Sequence, residues 1–310
     1  MTIYDIHPER RSLHGSFSRE FEPVFSIDSG DTVRFSTLDA GWGLEAFSIN
    51  KTRKKFEPRD RSRDSGHALC GPIEIRGAKP GMTLEITINE IKTGTWGWNS
   101  AGGFPHAVNK NLGIAEGEEY HLNWKLDREK MIGTSDKGHK VALSPFMGIM
   151  GMPPDEPGIH PTYPPRFCGG NIDCKELTVG STLYLPIPVA GGLFSVGDGH
   201  AVQGDGEVGC PALECPMDLV DLTLSVREDL HLKMPRAKTP TAWITMGFHE
   251  DLNEATVIAL EGMLDLMKEL YGYERKEALA LASLVVDLRI TQIVNGVQGV
   301  HAMLPHGAIS

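Results

Sequence analysis

Nowhere in the 310 residues is there a run of eighteen apolar side chains, so no segment reads as a membrane-crossing helix. Residues Met1 to Arg11 also lack the basic start and apolar stretch of a secretory signal. Both absences predict a cytoplasmic protein with no membrane partner. Cysteine is scarce and odd in number, at Cys70, Cys168, Cys174, Cys210 and Cys215, with no Cys-x-x-Cys pair. That count fits neither a disulfide framework nor a structural zinc knuckle, and it predicts reduced, mostly buried thiols. Positive charge is in deficit, 30 Lys and Arg against 41 Asp and Glu, a net −11. A general acidic field opposes the clustered cations that a nucleic-acid backbone needs, so nucleic acid is excluded as a partner. The one basic cluster, Lys51 to Arg63, is interleaved with Glu57 and Asp60 and reads as a solvated loop.

Several catalytic signatures are missing too. There is no Gly-x-Ser-x-Gly elbow, no His-Glu-x-x-His, and no Gly/Ser-rich nucleophile loop of the serine amidases. The glycine-rich stretch at 197 has Val202 where a dinucleotide fingerprint needs glycine. Chemistry that needs no side-chain nucleophile, such as a metal-activated water, is the option these absences leave.

What is present is glycine and proline, 35 and 20 residues scattered along the chain, with 40% hydrophobic residues and a mean hydropathy of −0.20. That composition predicts one large core or two fused ones, built from many short strands joined by turns. Three segments, Gly30-Asp-Thr-Val-Arg-Phe, Gly81-Met-Thr-Leu-Glu-Ile and Gly180-Ser-Thr-Leu-Tyr-Leu, each set a turn glycine before alternating apolar residues. In the second, Leu84, Ile86 and Ile88 share one face, the period-2 pattern of a half-buried strand. Leu183 to Val189 repeats the pattern, but Pro186 and Pro188 predict an edge or bulged strand. Residues 150–170 are too rich in proline for a helix or central strand and predict a long ordered loop. Helix is expected only near the end. One spans about 253–271, capped by Asp251 and stopped by Gly272, with Val257, Leu260, Leu264, Met267 and Tyr271 as its packing stripe. A second runs from about Lys276 to Asp287 and leads into a strand from Arg289.

The stretch from Gly197 to Glu207 sets Asp198, His200, Asp205 and Glu207 among four glycines. If it is extended, the spacing of two puts Asp198 and His200 on one face, as a strand presents two ligands to one ion, and Asp205 and Glu207 repeat that spacing. A polar turn bonding its own backbone is the alternative. Asp39 continues the phase of Val33, Phe35 and Thr37, so it points inward and requires a partner: a metal, an arginine or several N–H donors. His67 stands before another strand and a Gly-Pro turn, where either a ligand or a structural histidine fits.

Taken in order, His67-Ala-Leu-Cys-Gly-Pro-Ile, Lys79-Pro-Gly-Met-Thr-Leu-Glu-Ile, Gly169-Gly-Asn-Ile-Asp, Leu185-Pro-Ile-Pro-Val and Phe194-Ser-Val-Gly-Asp-Gly-His-Ala-Val-Gln-Gly-Asp-Gly-Glu resemble successive motifs of the acetamidase/formamidase family. Asp39-Ala, Asp287-Leu-Arg-Ile-Thr-Gln-Ile-Val-Asn and Gly299-Val-His-Ala-Met-Leu-Pro carry the resemblance across nearly the whole chain. It implies a mainly β, β-sandwich-like core over residues 1–230, and an α+β portion over 231–310 with a helical pair completing the same catalytic unit. It also implies a homodimer that hydrolyses small neutral amides such as formamide and acetamide. The resemblance brings Asp39, His67, Asp198 and His200 onto a divalent metal and makes Glu207 the general base, with Gln203, Asn171 and Asp173 lining or supporting the site. Zinc suits the mixed oxygen and imidazole ligands, with calcium or another divalent ion as the alternative. Against this stand two other readings, a non-catalytic metal- or sugar-binding sandwich and a hydrolase of another carbon–nitrogen compound such as a cyclic imide.

Overall fold

The computed structural model describes residues 1–309, and the chain is mainly β. All three turn glycines predicted to precede strands do so, with Gly30, Gly81 and Gly180 each at positive φ, where a side chain would strain the backbone. The strands that follow, Asp31–Thr37, Thr83–Thr93 and Thr182–Pro186, all belong to one nine-stranded sheet. Its order is Ile3–Ile6, Asp31–Thr37, Met217–Arg227, Thr83–Thr93, Thr182–Pro186, Arg236–Lys238, Ala242–His249, Gln298–Pro305, Asp287–Gln292. Strands from both sides of residue 230 thus hydrogen-bond in one sheet, with Thr182–Pro186 pairing Arg236–Lys238.

Thr182–Pro186 corrects one expectation, because it is neither at an edge nor bulged. It pairs Thr83–Thr93 along its whole length but Arg236–Lys238 only through Thr182, Leu183 and Tyr184. Pro186 therefore lies beyond the shorter neighbour, where a missing N–H leaves no ladder bond unmade.

The second sheet has twelve strands, and Phe194–Val202 is at its centre. That strand pairs Phe146–Gly151 and Leu213–Glu214, and also Leu69–Ile75, which in turn carries Leu13–His14 and Phe25–Ile27. Apolar residues of both sheets, including Val33, Ile86 and Leu222 from the first and Ile73, Met147 and Val196 from the second, form one buried core. Each fully buried aliphatic side chain there contributes about 1.5–3 kcal/mol of transfer free energy. Residues 150–170 are mainly irregular; Pro165–Arg166 joins the larger sheet, while His160–Pro161 pairs Ser16–Phe17 in a separate two-stranded sheet.

The helices are Leu252–Tyr271 and Arg275–Val285, with a single turn at Ala107–Asn111. Asp251 caps the first of the pair by accepting from the Asn253 N–H, and Gly272 ends it in the left-handed conformation. The buried face differs from the expected stripe. Leu264 and Met267 are buried, but Val257 and Tyr271 are exposed, and Ala255, Ala259 and Met263 meet the sheet instead. Small residues win that face because helix and sheet approach closely: a Cβ on Gly247 would lie 2.0 Å from the Ala255 carbonyl oxygen. Among the described residues, no helix is long and apolar enough to cross a membrane. All five cysteines are free thiols, and four are buried.

A buried carboxylate cluster around His200

His200 and Asp198 both come from Phe194–Val202, the central strand, and stand 3.4 Å apart from imidazole Nε2 to carboxylate Oδ1. The neighbouring strand Leu213–Glu214 pairs Glu214 directly with His200, and the carboxylate Oε1 approaches the same Nε2 to 3.2 Å. On the other side of the ring, Nδ1 meets Gln203 Oε1 at 3.0 Å, and the Gln203 amide donates to the Asp173 carbonyl at 2.8 Å. A Nδ1–H donated to Gln203 leaves the Nε2 lone pair facing Asp198 and Glu214, the tautomer a metal-ligating histidine needs. Asp173 sits 4.0 Å from Nδ1, held by Asn295 Nδ2 at 2.7 Å. Glu207 completes the ring, and His200 belongs to two groups whose donor atoms lie within 4.8 Å of one another, Asp198–His200–Glu214 and Asp173–His200–Glu207.

Three of these acids, Asp173, Asp198 and Glu207, have φ of 53, 59 and 46 degrees, a left-handed backbone that costs of order 1–3 kcal/mol at each non-glycine residue. Gly148, on the adjacent strand Phe146–Gly151, makes room for them. A Cβ there would fall 2.6 Å from both Asp173 Oδ1 and Asp198 Oδ2.

Burial sets the electrostatics. It raises Asp173 and Glu214 to about 7 each, against the pull of the His200 charge. Burial and the neighbouring Asp173 charge push Glu207 well above the carboxylate range. Asp198 goes the other way: burial raises it, but the charges of His200 and His67 outweigh that and bring it down to about 2. Burial disfavours the His200 cation, yet Glu214 and Asp198 lift its pKa well above the ordinary imidazole value. One imidazolium cannot balance four buried carboxylates. Asp173 Oδ1, Glu207 Oε2 and Glu214 Oε2 have no hydrogen-bond partner despite full burial, nor has Asn171 Oδ1 beside them. Such groups call for bound protons or a cation of higher charge, and the oxygen-plus-imidazole donor set fits a divalent ion.

Asp198, Glu207 and Glu214 line a cavity of about 220 Å³, which Trp98, Phe104, Tyr163 and Pro211 also line. Glu207 also borders a second cavity of about 540 Å³, so the residue lines both. His67 lines the first cavity, its Nδ1 2.7 Å from Thr162 Oγ1 and its ring edge-on to Tyr163. It is in neither donor group. Asn171 lines the cavity too, with its amide donating to the Tyr163 carbonyl at 3.1 Å.

Asp39 stands apart. Its carboxylate pairs with Arg53 at 2.6 Å and accepts from Trp98 Nε1 at 2.6 Å and the Gly43 N–H at 2.5 Å. Of the three partners its inward phase required, the structure supplies an arginine and N–H donors rather than a metal. Arg53 thereby departs from the expected solvated loop: its side chain is 2% exposed, and its guanidinium lies 4.1 Å from the Phe47 ring centroid. Asp205 does not line the first cavity with Glu207; it pairs with Lys175 at 3.1 Å and borders only the second. Sequence reasoning missed Glu214. Its only signal is a lone carboxylate in the apolar run Ala212-Leu-Glu-Cys, and strand pairing, not spacing, brings it to His200.

The model of the Acetamidase/Formamidase family matches residues 4–160 and 158–307. The chain belongs to the acetamidase/formamidase family. It is 27% identical over 252 residues to a formamidase of Methylophilus methylotrophus, covering 65% of this chain and 61% of the relative. The chain thus spans about three fifths of that curated relative's length. Two solved structures of acetamidases superpose on nearly the whole chain. The one from Bacillus halodurans has a TM-score of 0.82 at 27% identity, covering 98% of this chain and 97% of its own. The one from Yersinia enterocolitica has a TM-score of 0.83 at 25% identity, with 98% and 92% covered. As an acetamidase/formamidase family member, the chain keeps the Gly-Asp-Gly-His core of the resemblance on the central strand of its larger sheet.

Proposed function

We propose that this protein hydrolyses short linear carboxamides of the formamide and acetamide class to carboxylate and ammonia, using a divalent ion, with zinc the best match to the donors. The observation that carries this reading is the convergence of unpartnered carboxylate oxygens from Asp173, Glu207 and Glu214 around His200 beside a cavity. Asp198, His200 and Glu214 would hold the ion, because the Gln203 bond to Nδ1 turns the free lone pair of His200 toward those two acids. This ligand set replaces Asp39 and His67 with Glu214. An ion bound there polarises the amide carbonyl and lowers the pKa of water.

The chain's own residues supply the rest. Glu207 takes a proton from water in the cavity and returns it to the departing nitrogen, a role suited to a carboxylate whose proton affinity burial raises. Asp173, fixed by Asn295, shares the proton traffic on the other side of His200. The unpaired Asn171 Oδ1 is an acceptor for the substrate N–H, and His67, tied at Nδ1 to Thr162, offers its other nitrogen to the cavity. The apolar wall of Trp98 and Phe104 disfavours charged substrates. Because Asn295 comes from the C-terminal segment and reaches Asp173, residues 1–230 and 231–310 act in this reading as one catalytic unit.

A homodimer is part of the proposal. Leu279, Leu284, Leu288 and Ile290 leave an exposed apolar face on Arg275–Val285 and the edge strand Asp287–Gln292. Light scattering checks this directly, and a monomer at assay concentration would remove it.

The deciding experiment measures ammonia release from formamide, acetamide and propionamide before and after chelation, with single metals restored. Expected is release that chelation abolishes and one metal restores, and that falls about 10²–10⁴-fold in Glu207→Gln while bound metal is unchanged. A folded protein that releases no ammonia from any of the amides with any metal would refute the reading.

A further inference from the structure

A second group of metal-capable side chains, Cys174, Glu176 and His301, shares no residue with the catalytic cluster. Cys174 Sγ lies 3.4 Å from Glu176 Oε2, and His301 Nε2 lies 3.2 Å from the same oxygen, with all three donors within 4.8 Å of one another. For ligand bonds of 2.0–2.3 Å, the edges of a tetrahedral site are about 3.3–3.7 Å. The two separations to Glu176 Oε2 are close to that scale, and the third edge, Cys174 to His301, is within 4.8 Å.

The surroundings orient these donors as the outer shell of a metal site does. Glu176 divides its two oxygens. Oε1 takes the cations, Lys175 at 3.1 Å and Arg289 at 3.5 Å, while Oε2 alone turns to Cys174 and His301. The cations are themselves shared with Asp205, at 3.1 and 3.5 Å, so they keep a counter-charge when Glu176 binds an ion. His301 is fully buried, and its Nδ1 lies 2.7 Å from the buried Thr291 hydroxyl. With Nδ1–H donated to that hydroxyl, the lone pair is on Nε2, which makes no hydrogen bond of good geometry. Cys174 is fully buried, and its S–H points at a carboxylate it meets only at sulfur distance.

We propose that Cys174, Glu176 and His301 form a second cation site that takes a zinc-class ion through one sulfur, one oxygen and one nitrogen donor. A thiolate and an imidazole together select a borderline-soft ion over magnesium or calcium. On binding, the S–H bond of Cys174 breaks, its proton passes to solvent, and the thiolate sulfur bonds the ion. A divalent ion, the Cys174 thiolate, Glu176 and Asp205, with Lys175 and Arg289 beside them, then leave a net charge of only +1 over the group. The site ties the 173–176 segment to the C-terminal strand Gln298–Pro305, and so gives the chain a structural staple that the catalytic reaction does not use.

Cobalt(II) titration of the metal-free full chain tests this, because thiolate ligation gives cobalt a charge-transfer absorption that oxygen and imidazole ligands do not. Expected is a thiolate band whose full height corresponds to one cobalt per chain, apart from any cobalt taken up by the cluster around His200. Cys174→Ser abolishes the band and lowers bound cobalt by one equivalent per chain. His301→Gln weakens cobalt binding at this site at least tenfold, and both variants keep the wild-type circular dichroism spectrum. No thiolate band in the folded wild-type chain, or a band that survives Cys174→Ser, would overturn the proposal. If Cys174→Ser does not fold, His301→Gln carries the test alone, and unchanged cobalt affinity in it is the overturning result. None of these readouts depends on amide hydrolysis, so this site and the proposed activity stand or fall separately.

Discussion

At the scale of single residues, two positions carry sharp consequences, one inside the cluster around His200 and one apart from it. Gly148 has no Cβ, and one placed there would press on both Asp173 and Asp198 carboxylates from 2.6 Å. Gly148→Ala is therefore expected to lower amide hydrolysis at least tenfold and cost about 1–3 kcal/mol of stability, read from ammonia release and the urea midpoint. An alanine variant with wild-type activity would mean that the acids need not keep this spacing. Arg53 is the other position. It is the only cation paired with the fully buried Asp39 among the described residues, so Arg53→Met strands a buried charge and is expected to destabilise by about 3–5 kcal/mol. The double variant Asp39→Asn, Arg53→Met should lose much less than the sum of its parts, which a double-mutant cycle on denaturation midpoints measures. The inward phase of Asp39, two residues past the strand Asp31–Thr37, and the Asp198/His200 pair could be read from the sequence, since each rests on the alternation of one strand. Arg53 and Glu214 could not. Their partners come from other segments, and Arg53 is embedded in a run where Lys51, Lys54 and Asp60 do face water.

Among the elements, local rules held where neighbours had little influence. Turn glycines at 30, 81 and 180 precede strands, and Asp251 and Gly272 bound a helix, because those signals act over a few residues. They failed where packing chose between faces. The long helix turns Ala255, Ala259 and Met263 to the sheet, because Gly247 lets its backbone come close. Gly247→Ala sets a Cβ against the Ala255 carbonyl and is expected to cost about 1–3 kcal/mol, seen as a lower thermal midpoint. An unchanged midpoint would show that the helix can lift off the sheet freely. Pro186 taught the same lesson in reverse: proline argues against a central strand only if the neighbour extends far enough to need its N–H.

For the whole molecule, acid stability should depend on His14, which lies far from the carboxylate cluster in sequence and is held between the Ser16 carbonyl at 2.6 Å and Ser195 Oγ at 2.9 Å. Burial, aided by the charge of Arg63, lowers its pKa to about 4. A folded pKa below the unfolded value of about 6.5 means the unfolded chain binds more protons between those values. Stability from this group is thus complete above about pH 6.5 and is lost as pH falls toward 4, by roughly 3 kcal/mol in all. His14→Gln should flatten the fall in urea midpoint between pH 7 and 5, and an equally steep fall would assign it to other groups.

The bond from Asn295 to Asp173, with the bridge between Gly206 and Gln292, has a consequence for how the protein is made. Translation delivers Asp173, Asp198, His200, Glu207 and Glu214 well before the segment that braces them. A nascent chain on the ribosome therefore carries every acid of the cluster without the residues that hold Asp173 and the Glu207 turn in place. If the proposed activity holds, amide-cleaving capacity is acquired late in biosynthesis, and ribosome-bound chains stalled before residue 292 should be inert.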